Sequence, residues 1–184
     1  KKERNINMKN IKEIFSKYSH KVSNKNFLIY ISIVNQSLTV YKNFEKIKVY
    51  KISSSKFGEG TQEGTNKTPL GAHYIKEYIG ENEEIFTIFK NRKATKNKTN
   101  VIKNEACFDE DIISSRILWL EGLENGKNKG IGVDSYQRYI YIHGTNEEGL
   151  LGKKASHGCI RMGNSDIIKI CSMDICNSIV YISD

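Results

Sequence analysis

Tyr141-Ile142-His143-Gly144-Thr145 and, further on, Ala155-Ser156-His157-Gly158-Cys159-Ile160-Arg161-Met162 are the stretches on which the reading of this chain turns. They place a thiol, two imidazoles and a guanidinium close together in a chain with only four His and, counted along it, five Arg. A cysteine is a strong nucleophile once ionised, and a nearby imidazole can take its proton. Small glycines let a backbone N–H approach a developing oxyanion. The combination suits acyl transfer through a thioester.

Outward from this segment the pattern is mostly strand. Phe27 to Val34 is a continuous buried-type run, Leu38 to Tyr41 a shorter one, and Asn35-Gln36-Ser37 between them reads as a hairpin turn. Glu45 to Ser53 alternates, with Ile47 and Val49 expected on the buried side and Tyr50 or Ile52 as further candidates. Lys56 to Lys67 has no apolar residue after Phe57 and reads as a loop. Pro69 fixes its own φ and removes a ladder donor, so it marks a loop-to-strand junction before a strand around His73 to Ile79. His73 itself reads as a satisfied or exposed histidine more than as a catalyst.

Asn91 to Asn104 is polar and lysine-rich, the composition of a loop or hairpin tip. Arg116 to Leu120 reads as a buried strand, Asn125 to Gly132 as a loop, and Arg138 to Ile142 as a strand delivering His143 at its end. Asn164 or Ser165 is placed to cap a helix from about Asp166, and Ser178 to Ile182 forms a closing strand. Residues 1–26 form a basic segment whose apolar residues, from Ile6 to Tyr18, fall at helical spacing. The expected architecture is a mostly β, sandwich- or barrel-like domain over residues 27–184, with one or two helices.

With 184 residues the chain is long enough to bury a core. Its formal charge of +8 favours an anionic partner, or simply a solvated lysine-rich surface. No nucleic-acid motif accompanies the charge, so no nucleic-acid partner is expected. No apolar run reaches the roughly 18 residues of a membrane span, and the first residues do not form a signal peptide. Cys107, Cys171 and Cys176 read as apolar filler, with a disulfide among them left open.

His143 followed at a distance by Ser156-His157-Gly158-Cys159 and Arg161 resembles the L,D-transpeptidase (YkuD/ErfK) family of bacterial cell-wall enzymes. Thr68-Pro69-Leu70-Gly71, with an aromatic following at Tyr74, fits a second patch of that family. The resemblance implies a YkuD-like fold and an envelope location, periplasmic or wall-associated. It implies peptidoglycan tetrapeptide stems as substrate, a Cys159 thioester formed with release of D-alanine, and a 3–3 cross-link when an amine resolves it. Water in place of the amine makes the enzyme an L,D-carboxypeptidase.

By the same resemblance His143 is the base, its second ring nitrogen held by the Gly144 carbonyl. The backbone of Gly158 and Cys159 is the expected oxyanion donor. His157 is a less favoured base and a candidate for substrate contact. Glu147 and Glu148 read as solvated loop charges. Lysine is the chain's default cation, so Arg161 suggests a planar bidentate contact, either with a substrate carboxylate or with an internal Asp or Glu. No cofactor or metal is expected, although His143, His157 and Cys159 with Cys107 or His73 keep a zinc site open as an alternative. A non-catalytic wall-binding module is the other.

Overall fold

The computed structural model describes residues 6–106 and 111–184. Two helices, α1 (Met8–Tyr18) and α2 (Asn164–Cys171), accompany ten strands. The strands are β1 (Phe27–Ser32), β2 (Ser37–Lys42), β3 (Glu45–Ser53), β4 (Gly71–Ile79), β5 (Thr87–Lys90), β6 (Lys93–Lys98), β7 (Ile113–Gly122), β8 (Tyr141–Thr145), β9 (Ile160–Met162) and β10 (Ile179–Ser183). They form one sheet in the order β4-β10-β1-β2-β3-β9-β8-β7-β5-β6, and β4 also pairs with β7. That extra pairing closes eight strands into a barrel, with the β5–β6 hairpin projecting from β7. Closure removes the free edges that an open sheet would expose. Neighbours are antiparallel except β1/β10 and β8/β9.

Alternation along the strands decides what lies inside. Ile29, Ile31, Leu38, Val40, Ile52, Leu118, Ile142, Ile160 and Val180 share the main apolar cluster, to which α2 adds Ile167 and Ile170. The intervening residues of β1 and β10, Leu28, Tyr30 and Ile179, cluster instead with Ile11, Tyr18 and Val22 of the N-terminal segment. That cover explains why β1 is apolar without a break: both of its faces are buried. Asn7 caps α1 by accepting the Asn10 N–H at 2.9 Å.

Three expectations change. Ile47 and Val49 are 43% and 48% exposed, while Tyr50 and Ile52 are buried. A bulge opposite Val40/Tyr41 shifts the β2–β3 register, and β9 covers β3 only at Ile52 and Ser53, so the first half of β3 has an open flank. The strand expected from Arg138 begins at Tyr141, because the chain is still turning through Tyr139 (φ 56°) and the Ile140 N–H donates to the Ser135 carbonyl. His143 therefore sits mid-strand. The cap of α2 is Gly163, with no side-chain capping bond. Asn164 lies inside the helix and its amide bonds elsewhere. Cys171 and Cys176 are free thiols; Cys107 lies outside the described residues.

Candidate active site

On β7, β8 and β9 the residues that face away from the barrel interior make the site. Register pairs Ile142 with Ile160 and His143 with Arg161, so Cys159, one residue before β9, flanks Tyr141. Tyr141, His143, Cys159 and Arg161 consequently share a face, while Ile142, Ile160 and Met162 point inward. Cys159 packs at the edge of a third cluster made by Phe89, Ile117, Trp119 and Tyr141.

The thiol is fixed from both sides. Cys159 Sγ accepts the Tyr141 N–H at 3.4 Å and donates to the Tyr139 carbonyl at 3.3 Å. Although the residue is only half-buried, the dense surroundings of the sulfur push the thiol up to about 12, with the Asp111 carboxylate adding to the effect. The Tyr141 N–H, Arg161 and Arg138 pull the other way.

His143 is fully buried, and its Nδ1 lies 2.8 Å from the Gly144 carbonyl. A carbonyl can only accept, so Nδ1 carries the proton and Nε2 presents a lone pair. Nε2 is buried without a partner among the described residues. Burial holds the imidazole below its ordinary value, partly opposed by Asp111 and the Gly144 bond. Gly144 also has to be glycine: a Cβ there would meet the Ser114 carbonyl at 2.5 Å and Asn164 Oδ1 at 2.8 Å.

Gly158 adopts φ +126°, a conformation that favours glycine. Its carbonyl accepts from Thr68 Oγ1 at 3.0 Å, and its N–H donates to Ser156 Oγ at 3.3 Å. Ser156 Oγ in turn donates to the Cys159 carbonyl at 2.6 Å. Thr68 also accepts the Ser55 N–H at 3.0 Å, which ties the Thr68-Pro69 turn to the cysteine loop.

Arg161, expected to meet either a substrate carboxylate or an internal one, meets internal carboxylates. It is fully buried, with Nη1 2.6 Å from Glu147 Oε2 and Nε 2.9 Å from Asp111 Oδ1. The second contact is an ion pair out of line for a hydrogen bond. Of its two possible partners, then, the internal carboxylates are the ones present. Glu147 is correspondingly buried, and Glu148 accepts the Asn164 N–H at 2.8 Å; neither is a solvated loop charge. The Glu147 N–H donates to Thr145 Oγ1 on β8 and the Glu148 side chain reaches α2, contacts their sequence context did not signal. His157 is half-buried, its ring 5.9 Å from that of Phe57 and its Nδ1 3.9 Å from Asp111 Oδ2.

Three further contributors had no sequence signal. Asp111 joins Arg161 and faces His157. Asn164 accepts from Ser114 and Ser115 hydroxyls, both at 2.7 Å, and donates to the Thr145 carbonyl at 2.7 Å, locking β7, β8 and α2 together. Arg138 donates to the Gly60, Thr61 and Lys67 carbonyls and so holds the 56–67 loop beside the site. His73 is satisfied and buried, with Nδ1 at 3.0 Å from the Gly71 carbonyl and Nε2 at 2.9 Å from Ser135 Oγ. Among the described residues no group of three His, Cys, Asp or Glu side chains is arranged to hold a metal ion, and no helix is long and apolar enough to cross a membrane.

A closed, mostly β domain with a thiol and a tautomer-fixed imidazole on one face of adjacent strands defines the class: a candidate cysteine–histidine acyl-transfer fold. Residues 26–175 match the model of the L,D-transpeptidase catalytic domain (YkuD), and the chain belongs to that family. Members of the family are acyltransferases that act on cell-wall peptidoglycan.

A search of curated proteins by sequence finds no match. Among solved structures, an L,D-transpeptidase from Mycobacterium smegmatis superposes with a TM-score of 0.53 at 14% identity, covering 86% of this chain and 59% of that one. L,D-transpeptidase 3 from Mycobacterium tuberculosis, solved with a faropenem-derived adduct, gives 0.53 at 14%, covering 86% and 60%. A cysteine-to-serine mutant of the Enterococcus faecium enzyme gives 0.51 at 17%, covering 86% and 50%. At these identities the likeness is one of fold, and the chain spans only half to three-fifths of those proteins.

Proposed function

We propose that this chain is a peptidoglycan L,D-transpeptidase working through a Cys159 thioester on tetrapeptide stems in the cell envelope. The observation that carries the reading is His143: Nδ1 is committed to the Gly144 carbonyl, and the buried Nε2 on the thiol-bearing face has no partner among the described residues. A buried nitrogen lone pair left open beside a thiol fits a base awaiting a proton.

In this reaction His143 Nε2 takes the Cys159 proton as sulfur bonds to the carbonyl carbon of the stem's third residue. The oxyanion is received by backbone N–H groups at Gly158 and Cys159, Gly158 giving up its bond to Ser156 Oγ. The tetrahedral adduct collapses by breaking the bond to the terminal D-alanine, whose amine receives the proton from His143. An amine of a second stem then attacks the thioester, loses its proton to His143, and returns the thiol, leaving a 3–3 cross-link. Thr68, Ser156 and Arg138 hold the two loops that frame this chemistry.

Incubation with disaccharide-tetrapeptides, read by mass spectrometry, tests the proposal. Cross-linked dimers formed with loss of D-alanine, and absent with Cys159→Ala, support transpeptidation. Tripeptides alone assign water as the acceptor. Conversion by the Cys159→Ala protein would remove the thioester from the account.

A further inference from the structure

We propose that Arg92 forms a carboxylate-binding subsite for the donor stem, beside the thiol; this rests on the transpeptidase reading and names the part of its substrate that the site selects. Arg92 sits at the tip of the β5–β6 hairpin, where Asn91 (φ 48°) and Arg92 (φ 64°) both take the left-handed conformation. Neither is a glycine, so this tight turn carries backbone strain. The turn folds the side chain back over the site face. Its guanidinium lies 4.8 Å from the centre of the Tyr139 ring and 5.2 Å from that of Trp119, and Nη1 reaches the Tyr141 hydroxyl at 3.5 Å.

Tyr139 and Tyr141 are also the residues that hold the nucleophile. The Tyr139 carbonyl accepts from Cys159 Sγ and the Tyr141 N–H donates to it. The guanidinium is thus on the wall of the reaction site, on a side chain that is itself only half-buried.

Its bonding is incomplete in one specific respect. Among the described residues no carboxylate is within ion-pair reach of Arg92, whereas Arg161 has Asp111 and Glu147. The central carbon of the Arg92 guanidinium lies over the Tyr139 and Trp119 rings, a cation–π seat that requires no carboxylate. The N–H donors lie in the plane, and all but the one on Tyr141 are free of protein acceptors among the described residues. A planar cation seated over aromatic rings, with most of its N–H donors without an acceptor among the described residues, fits bidentate recognition of a carboxylate. A tetrapeptide donor offers two: the terminal D-alanine carboxylate, and any second carboxylate on the diamino residue. Lysine, which this chain uses elsewhere, could supply the charge but not the planar fork.

Binding of three stems to the 184-residue Cys159→Ala protein by calorimetry decides the matter without requiring turnover. The three are the free tetrapeptide, its terminal carboxamide, and the stem amidated at the diamino residue. The free stem should bind about tenfold more tightly than one of the two amides, and that amide identifies the carboxylate. Arg92→Gln should abolish the difference by weakening the free stem alone, with Arg92→Lys between the two. Trp119 near-ultraviolet dichroism checks that the variant keeps its fold. Equal affinities for all three stems, no binding of any, or an undiminished preference in Arg92→Gln would each overturn the subsite. Charge-selective binding without turnover by the wild-type protein would sink the transpeptidase reading and leave the subsite standing.

Discussion

At rest the Cys159–His143 pair should be neutral, a thiol beside an imidazole and not a thiolate beside an imidazolium. The thiol stands at about 12 and the imidazole below its ordinary 6.5, both because burial disfavours their charged forms. A rise from 9.0 to about 12 places the thiolate about 4 kcal/mol higher than in an open thiol. The thiolate fraction at pH 7 is then about 10⁻⁵, against a few per cent for a free cysteine. The difference in absorbance near 240 nm between the wild type and Cys159→Ala, followed from pH 5 to 9.5, measures it with tyrosine and the other thiols subtracted. No thiolate step should occur in that range. A full step below pH 8 would refute the reasoning and establish a preformed ion pair.

A neutral pair makes proton transfer part of the attack. Turnover should then depend on neutral His143 and not on the titration of Cys159. Because the folded imidazole is held below 6.5, the acid limb of kcat/KM should have its midpoint below pH 6.5, with a plateau above it up to about pH 9. An acid limb centred above pH 7 would contradict the lowered imidazole.

His143→Ala should lower kcat by about 100- to 10,000-fold, and His157→Ala by far less; the opposite order would move the base to His157. Arg161→Met removes the cation bonded to the Glu147 carboxylate, whose side chain is 0% exposed, and should cost about 3–5 kcal/mol in urea unfolding, or a Tm lower by about 6–20 °C. A loss under about 1 kcal/mol would show that the buried cation is not what holds those carboxylates. His73 is held down to about 4 by burial, so it stays neutral in the folded protein while the unfolded chain protonates near 6.5. Its contribution is complete above pH 6.5 and is lost as the pH falls toward 4, about 3 kcal/mol in all. Urea midpoints of wild type and His73→Gln at pH 7 and 4.5 should show the smaller acid loss in the variant; equal losses would dismiss the role.

What the sequence revealed followed from what alternation and local chemistry can encode. The continuous run at β1 was legible as a strand because apolar residues fill both of its faces, though the helix covering the outer one carried a weaker signal. Cys159 was legible from its local chemistry, and His143 and the Gly144 carbonyl through the family resemblance of the motif around them. Asp111, Asn164, Arg138 and Arg92 were not, since each acts through a contact that only barrel closure and strand register create. Ile47 and Val49 misled because a bulge and the short β9 decide which side of β3 is covered, and neither leaves a trace in the hydrophobic period. Arg161 was recognisable as a planar contact, but burial was needed to choose its partner.

Three of the chain's five arginines surround this thiol, each in a role that lysine's single ammonium would fill poorly. Arg161 bridges two carboxylates, and of this group Asp111 works against a thiolate while Arg161 itself favours one. Arg138 binds three carbonyls and no carboxylate among the described residues, so its charge is left uncompensated and favours negative charge on Cys159. Arg92 lies on the aromatic wall, open at its edge. The first two favour the charge that develops once His143 removes the proton, against the Asp111 carboxylate, which opposes it. The third is placed to receive the anionic end of a donor. A site that is neutral when empty and cationic toward substrate would confine nucleophile activation to the occupied state, which suits a thiol that keeps an opening to solvent.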